Sequence, residues 1–68
     1  MEIDQNIKIE ILKQELTIYE NTKYLLKIRY RVNKTLENTE AMKATEDELV
    51  KIERAIEELN KILDEETT

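Results

Sequence analysis

The sequence predicts an all-α protein: an antiparallel two-helix hairpin that is coiled-coil-like. Its 68 residues include no glycine and no proline, so the tight turns of a β-sheet protein would have few residues from which to form. Charged residues and apolar residues each make up 40% of the chain, a balance typical of long helices and coiled coils. Apolar residues also recur in alternating steps of three and four, the spacing of a heptad repeat.

Helix 1 is expected over about residues 6–36. Its main heptad line comprises Ile9, Leu12, Leu16, Tyr19, Lys23, Leu26, Tyr30 and Asn33. A second apolar line repeats every seven residues, about 100° away around the helix, and comprises Ile11, Ile18, Leu25 and Val32. Two apolar lines predict two neighbouring helices. The alternation of isoleucine with charged residues over 6–11 leaves a short β-strand as the alternative for that segment.

A loop is expected over about residues 37–44, followed by helix 2 over about residues 46–65. The segment contains Asn38 and Thr39, which compete for backbone hydrogen bonds and are poor residues for a helix interior. Thr45 then stands three residues before Glu48. This is the capping-box pattern, in which the two side chains bond to each other's backbone N–H groups. We therefore expect helix 2 to begin at Thr45.

These bounds give helix 1 a longer arm than helix 2. The predicted hairpin core comprises Ile18, Leu25, Ile28, Val32, Leu49, Ile52, Ile56, Leu59 and Leu63. In this register Leu63 would lie near residues 21–22, and the first part of helix 1 would be uncovered. A large apolar patch left in water marks an interaction site. We therefore predict self-association through the overhang, most simply as a dimer that forms a four-helix bundle. The residues predicted to mediate it are Ile3, Ile7, Ile9, Ile11, Leu12 and Leu16.

The residue types exclude several classes of chemistry. Serine, cysteine and histidine are absent, so no nucleophile–base pair of the Ser/His or Cys/His kind can form. Without glycine there is no phosphate-binding loop, and without histidine and cysteine the usual transition-metal ligands are missing. We predict a protein that is not an enzyme, with no catalytic residues, no cofactor and no metal site.

A basic segment interrupts an otherwise acidic chain. Residues 23–36 carry five basic residues and no acidic one, while the whole chain has a net charge of −5. Four of these cations and two tyrosines form a candidate ridge on helix 1, comprising Lys23, Lys27, Arg31, Lys34, Tyr24 and Tyr30. The first interpretation is that the ridge pairs with acidic residues of helix 2 and sets the hairpin register. The alternative is that it binds a partner.

The favoured function is a non-enzymatic protein–protein interaction module: an assembly, scaffolding or adaptor protein, or a regulator of a larger partner. One alternative is an acidic inhibitor that mimics nucleic acid in a basic groove. A second is weak nucleic-acid binding through the ridge, which the acidic pI near 4.7 disfavours. The chain has no membrane-length apolar run and no signal-peptide pattern. A cytoplasmic protein is expected, and the composition suits a small accessory protein of a phage or mobile element.

Overall fold

A computed structural model describes residues 3–68 as two long α-helices joined by a short loop. Helix α1 spans Gln5–Thr35 and helix α2 spans Thr39–Thr67, and the two pack against each other along their lengths. The side-chain amide of Gln5 donates a hydrogen bond to the backbone carbonyl of Glu66, so the start of α1 lies beside the end of α2. The molecule is therefore an antiparallel hairpin, with extents of 52 × 19 × 14 Å.

Helix α1 begins at a side-chain cap. The carboxylate of Asp4 accepts a hydrogen bond of 2.8 Å from the backbone N–H of Asn6, which satisfies one of the donors that a helix start leaves free. The chain is helical from Gln5 onward. The prediction of a helix over residues 6–11 is confirmed, and the β-strand alternative for this segment is wrong.

The loop between the helices is only three residues long and closes α1 with a Schellman motif. Glu37 takes the left-handed conformation, with φ of 55°. Its N–H bonds to the carbonyl of Lys34 at 3.1 Å, and the N–H of Asn38 bonds to the carbonyl of Asn33 at 2.9 Å. These two bonds satisfy carbonyls at the helix end. Residues other than glycine usually avoid this conformation. The hairpin turn therefore forms without glycine, the residue from which a turn of this kind is usually predicted.

Asn38 also starts α2. Its side-chain oxygen accepts a hydrogen bond of 3.1 Å from the backbone N–H of Ala41, as an N-cap residue does. The prediction of a loop over residues 37–44 and of a cap at Thr45 is therefore wrong. Thr45 lies inside α2, where its hydroxyl donates to the carbonyl of Ala41 at 2.8 Å. A threonine that bonds back to the preceding turn in this way is compatible with a continuous helix.

The two helices meet along one seam of heptad-spaced residues, which we call the inner seam. On α1 it consists of the predicted main line, Ile9, Leu12, Leu16, Tyr19, Lys23, Leu26, Tyr30 and Asn33, and on α2 of Met42, Thr45, Leu49, Ile52, Ile56, Leu59, Leu63 and Glu66, all buried or half-buried. Leu26 and Ile56 are the most buried apolar residues, each 8% exposed. The hairpin core is thus one layer of side chains between two helices.

The early start of α2 makes the two arms nearly equal. With 31 residues in α1 and 29 in α2, each helix is roughly 45 Å long at 1.5 Å per residue. Ile62 lines a groove together with Ile11 and Leu12, so the predicted register, with Leu63 beside residues 21–22, is wrong. Helix α2 covers one side of α1 down to its first turn, and the expected overhang does not exist.

Candidate interaction surface

The most prominent surface feature is a stripe of exposed apolar side chains on the side of α1 that faces away from α2. Large hydrophobic residues with 43–69% exposure are numerous in this small chain. They are Ile3, Ile7, Ile11, Ile18, Tyr24, Leu25, Ile28, Val32, Leu36 and Val50. Only Val50 lies in α2. Nearly all of the exposed apolar surface therefore belongs to one helix and its flanking residues.

Most of these side chains lie on two adjoining heptad lines of α1. We call the outer stripe the set Ile7, Ile11, Ile18, Leu25, Ile28 and Val32. Four of its members are spaced by seven residues, and the other two occupy the adjoining heptad line. Two polar residues on that adjoining line, Gln14 and Asn21, interrupt it near the middle of the helix. This arrangement is a second coiled-coil seam, which the chain itself leaves uncovered.

The α1 residues that were predicted for the hairpin core lie instead in the outer stripe, so this part of the prediction is wrong. Ile18, Leu25, Ile28 and Val32 are all exposed, so in the single hairpin they are not core residues. Helix α2 packs on the inner seam instead, on the other side of α1. The α2 residues that were predicted as core lie in the inner seam, namely Leu49, Ile52, Ile56, Leu59 and Leu63.

The residues predicted to mediate self-association divide between the two faces. Ile9, Leu12 and Leu16 are half-buried in the inner seam and are covered by α2. The other three are exposed and lie on the outer side of α1 or just before it, at Ile3, Ile7 and Ile11. Self-association itself stays a prediction, but its surface cannot be the N-terminal overhang. The free apolar surface runs along the whole of α1.

The residues of the basic ridge also lie in different surroundings. Tyr30 and Lys23 are half-buried in the inner seam, whereas Lys27 and Lys34 are exposed. Arg31 lines a groove on the outer side of α1 with Ile28 and Val32, so its cation borders the outer stripe. This position was not predicted from the sequence, because Arg31 was expected to belong to a ridge that pairs with α2.

Among the residues of the ridge, Tyr30 and Tyr24 have the most different surroundings. A hydrogen bond with Glu46 on α2, together with the negative charge of that carboxylate and partial burial, raises the pKa of Tyr30 above its ordinary value of 10.0. Tyr24 is 69% exposed and lines a shallow groove with Glu20, Lys23 and Lys27. Tyr30 therefore belongs to the hairpin, and Tyr24 is available to solvent. Pairing of the lysines with the acids of α2 stays a prediction.

Charge is distributed unevenly along α1 and its N-terminal flank. Residues 1–22 carry five acidic and two basic residues, whereas residues 23–36 carry five basic residues and no acidic one. The outer stripe runs through both regions. A partner helix lying along the stripe would therefore meet an acidic end and a basic end, and its own charges would determine its direction.

The chain exposes more surface than a compact protein of its mass. Its accessible surface is 5681 Å². A folded monomer of 8.2 kDa is expected to expose about 4,500 Å². The excess, roughly 1,100 Å², exceeds the ~800 Å² that each partner buries in a standard interface. The elongated hairpin, with extents of 52 × 19 × 14 Å, therefore leaves more surface exposed than a compact domain of this mass.

Residues 3–68 contain neither a cluster of metal ligands nor a membrane-spanning helix. No three acidic side chains in this part of the chain gather closely enough to hold a metal ion. Neither α1 nor α2 contains a stretch long and apolar enough to cross a membrane. Comparison of the chain with protein-family models, with curated proteins and with solved structures finds no match.

Proposed function

We propose that this chain is a non-enzymatic protein–protein interaction module that self-associates through the outer stripe of α1. The observation that carries the proposal is the exposure of six large aliphatic side chains on one face of a single helix. Contiguous apolar patches of this kind mark interaction sites in soluble proteins. The surplus accessible surface of the chain is of the size that a dimer interface removes.

The geometry favours a dimer in which the two α1 helices lie at the centre. The outer stripe is exposed beside the contact with α2, so a second chain that packs on the stripe leaves that contact intact. The assembly then has four helices, with each α2 on the outside. This arrangement differs from a dimer formed by N-terminal overhangs, because the interface extends from Ile7 to Val32.

Sedimentation equilibrium tests the proposal with two matched variants. Leu25→Glu places a charge in the middle of the outer stripe, and Val50→Glu places the same charge on α2, at a residue of similar exposure. We expect the wild-type chain to be a dimer at tens of micromolar. We expect Leu25→Glu to raise the dimer dissociation constant by roughly 100-fold, as loss of a central interface anchor does. Val50→Glu should have little effect on it.

Two results would contradict the proposal. One is a wild-type chain that remains monomeric at millimolar concentration. The other is a Leu25→Glu variant that keeps the wild-type dissociation constant. Circular dichroism of each variant provides the folding control, because both substitutions are at exposed positions and should leave the helical content unchanged.

A further inference from the structure

We infer that the partner on the outer stripe is a second copy of this chain in antiparallel orientation, with Ile11 of each copy beside Ile28 of the other. This inference rests on the proposed function and adds the direction and register of the two helices. It follows from three observations on α1: its charge distribution, the positions of its apolar stripe residues, and the charged residues that border the stripe.

The charge distribution selects the direction. A parallel pair of α1 helices would bring together the basic ends of the two copies, residues 23–36. Of the five cations in each basic end, Lys23 is in the inner seam and four are exposed, namely Lys27, Arg29, Arg31 and Lys34. An antiparallel pair places each basic end beside residues 1–22, where acidic residues outnumber basic ones by five to two. Packed helices lie 8–10 Å apart, close to the Debye length of about 8 Å at physiological ionic strength. The difference between the two orientations is therefore only partly screened.

The apolar residues select the register. In an antiparallel pair, a step of four residues toward the N-terminus of one copy corresponds to a step of four residues toward the C-terminus of the other. The step from Ile11 leads to Ile7, and the step from Ile28 leads to Val32. Ile7 therefore faces Val32 when Ile11 faces Ile28. Both ends of the interface then contain only aliphatic contacts. In the four central layers Gln14 faces Leu25 and Asn21 faces Ile18, so each of these layers pairs a polar residue with an aliphatic one.

A slip by one heptad gives a poorer interface. In one direction Ile11 would face Asn21 of the second copy, and in the other direction it would face Thr35. Each slip also leaves the stripe residue nearest one end of α1 without an apolar partner. The Ile11–Ile28 register is the one that pairs apolar residues at both ends of the stripe.

On one edge of the stripe an acid–base pair fits the same register, whereas on the other edge this register places Lys8 of each copy near Arg29 of the other. Glu10 precedes Ile11, and Arg31 lines the outer groove with Ile28 and Val32. Both are exposed in the single hairpin. In the antiparallel pair, Glu10 of each copy lies across the edge of the interface from Arg31 of the other. The two-fold symmetry of a dimer gives this acid–base pair twice, and it determines orientation more than affinity.

Disulfide trapping tests the register, because the natural chain contains no cysteine. The variants Ile11→Cys and Ile28→Cys are purified separately, then oxidised alone and as an equimolar mixture. We expect the mixture to give disulfide-linked dimers that join position 11 to position 28, at least ten times faster than either variant alone gives linked dimers. Lys61→Cys, at an exposed position on α2, provides the rate of random collision.

The outcomes separate the inference from the proposed function. Rapid linkage of Ile11→Cys chains to each other would show a parallel pair and overturn the inference, while self-association would stand. Linkage in the mixture no faster than for Lys61→Cys, with a dimeric wild-type chain, would show that another register or another surface is used and would overturn the inference. A monomeric wild-type chain would overturn the proposed dimer and the inference with it.

Charge reversal provides a second test that introduces no thiol. Glu10→Arg alone and Arg31→Glu alone should each raise the dimer dissociation constant by severalfold at low salt, because each creates two like-charge contacts per dimer. A mixture of the two variants should form heterodimers with approximately the wild-type dissociation constant, because opposite charges then face each other at both sites. Equal weakening of the heterodimer would overturn the antiparallel register.

Discussion

Leu25 and Leu26 are neighbours with the same side chain, yet Leu26 is 8% exposed and Leu25 is 44% exposed. The first belongs to the inner seam and the second to the outer stripe. Both lines of α1 have heptad spacing, and the outer stripe is the more aliphatic of the two, since only four of the eight inner-seam residues of α1 are aliphatic. The difference in exposure between Leu25 and Leu26 therefore lies in the position of α2. A helix with two apolar lines specifies two contacts, and the loop after it determines which line forms the contact within the chain.

The largest expected effect is a loss of folding stability when Leu26, but not Leu25, is replaced by alanine. Leu26→Ala removes the most buried side chain of α1 and should lower the free energy of unfolding by about 2–4 kcal/mol. Leu25→Ala should change the stability of the isolated hairpin by less than ~1 kcal/mol, since its side chain is already partly in water. Urea unfolding followed by circular dichroism at low concentration measures both. Equal losses would contradict the assignment of the inner seam.

The same pair separates folding from association when protein concentration is varied. A dimer that forms through the outer stripe makes the melting temperature rise with concentration by mass action. Leu25→Ala should reduce this dependence, whereas Leu26→Ala should lower the melting temperature at every concentration. If the two variants responded to concentration in the same way, the two faces of α1 would not be independent.

The next largest expected effect is a loss of folding stability when the cap in the loop is removed. This loop determines the face of α1 on which α2 packs. The Asn38 side chain caps α2 through the N–H of Ala41. Asn38→Ala should lower the free energy of unfolding by about 1 kcal/mol. Asn60→Ala, at an exposed position within α2, is the control and should have little effect. Thermal unfolding at fixed concentration compares them, and an unchanged stability of Asn38→Ala would show that the cap is dispensable.

A smaller effect tests the role of Thr45 in the inner seam. This residue is 8% exposed, and its hydroxyl bonds to the Ala41 carbonyl, a bond that a continuous helix does not require. Thr45→Val keeps the branched shape and leaves that carbonyl bonded to the backbone. We expect a stability change within ~0.5 kcal/mol. Loss of a true N-cap would cost about 1–2 kcal/mol, so chemical unfolding distinguishes a seam residue from a cap.

Thr45 also explains why the sequence predicted the fold class better than the contacts. Absence of glycine and proline, together with the heptad line from Ile9 to Asn33, predicted the two helices, but the α1 residues predicted for the hairpin core belong to the exposed outer stripe. The pattern of Thr45 and Glu48 is, however, the same in a capping box and in the middle of a helix. Sequence distance alone does not show whether the threonine hydroxyl bonds forward to an N–H or back to a carbonyl.

That ambiguity accounts for the wrong register and for the expected overhang. A start at Thr45 instead of Thr39 shortened α2 by about two turns, displaced its register along α1, and produced an overhang. Four residues of the outer stripe were also assigned to the hairpin core, although the repeat of seven residues was visible in the sequence; they are Ile18, Leu25, Ile28 and Val32. The actual turn was missed because Glu37 adopts the left-handed conformation, for which glycine or asparagine is the usual signal.

The smallest expected effect is a dependence on pH at the edge of the inner seam. The contact with Glu46 raises the pKa of Tyr30 above 10.0, so the folded state favours the protonated phenol. The stabilisation from this contact is therefore fully present below pH 10.0 and is lost as pH rises through the raised pKa. Tyr30→Phe should lower the melting temperature at neutral pH, and its difference from the wild-type chain should shrink in strongly alkaline solution. Tyr24→Phe, at a tyrosine that is 69% exposed, is the matched control. A Tyr30→Phe difference that is constant with pH would show that ring packing, and not the hydrogen bond to Glu46, is what Tyr30 contributes to the seam.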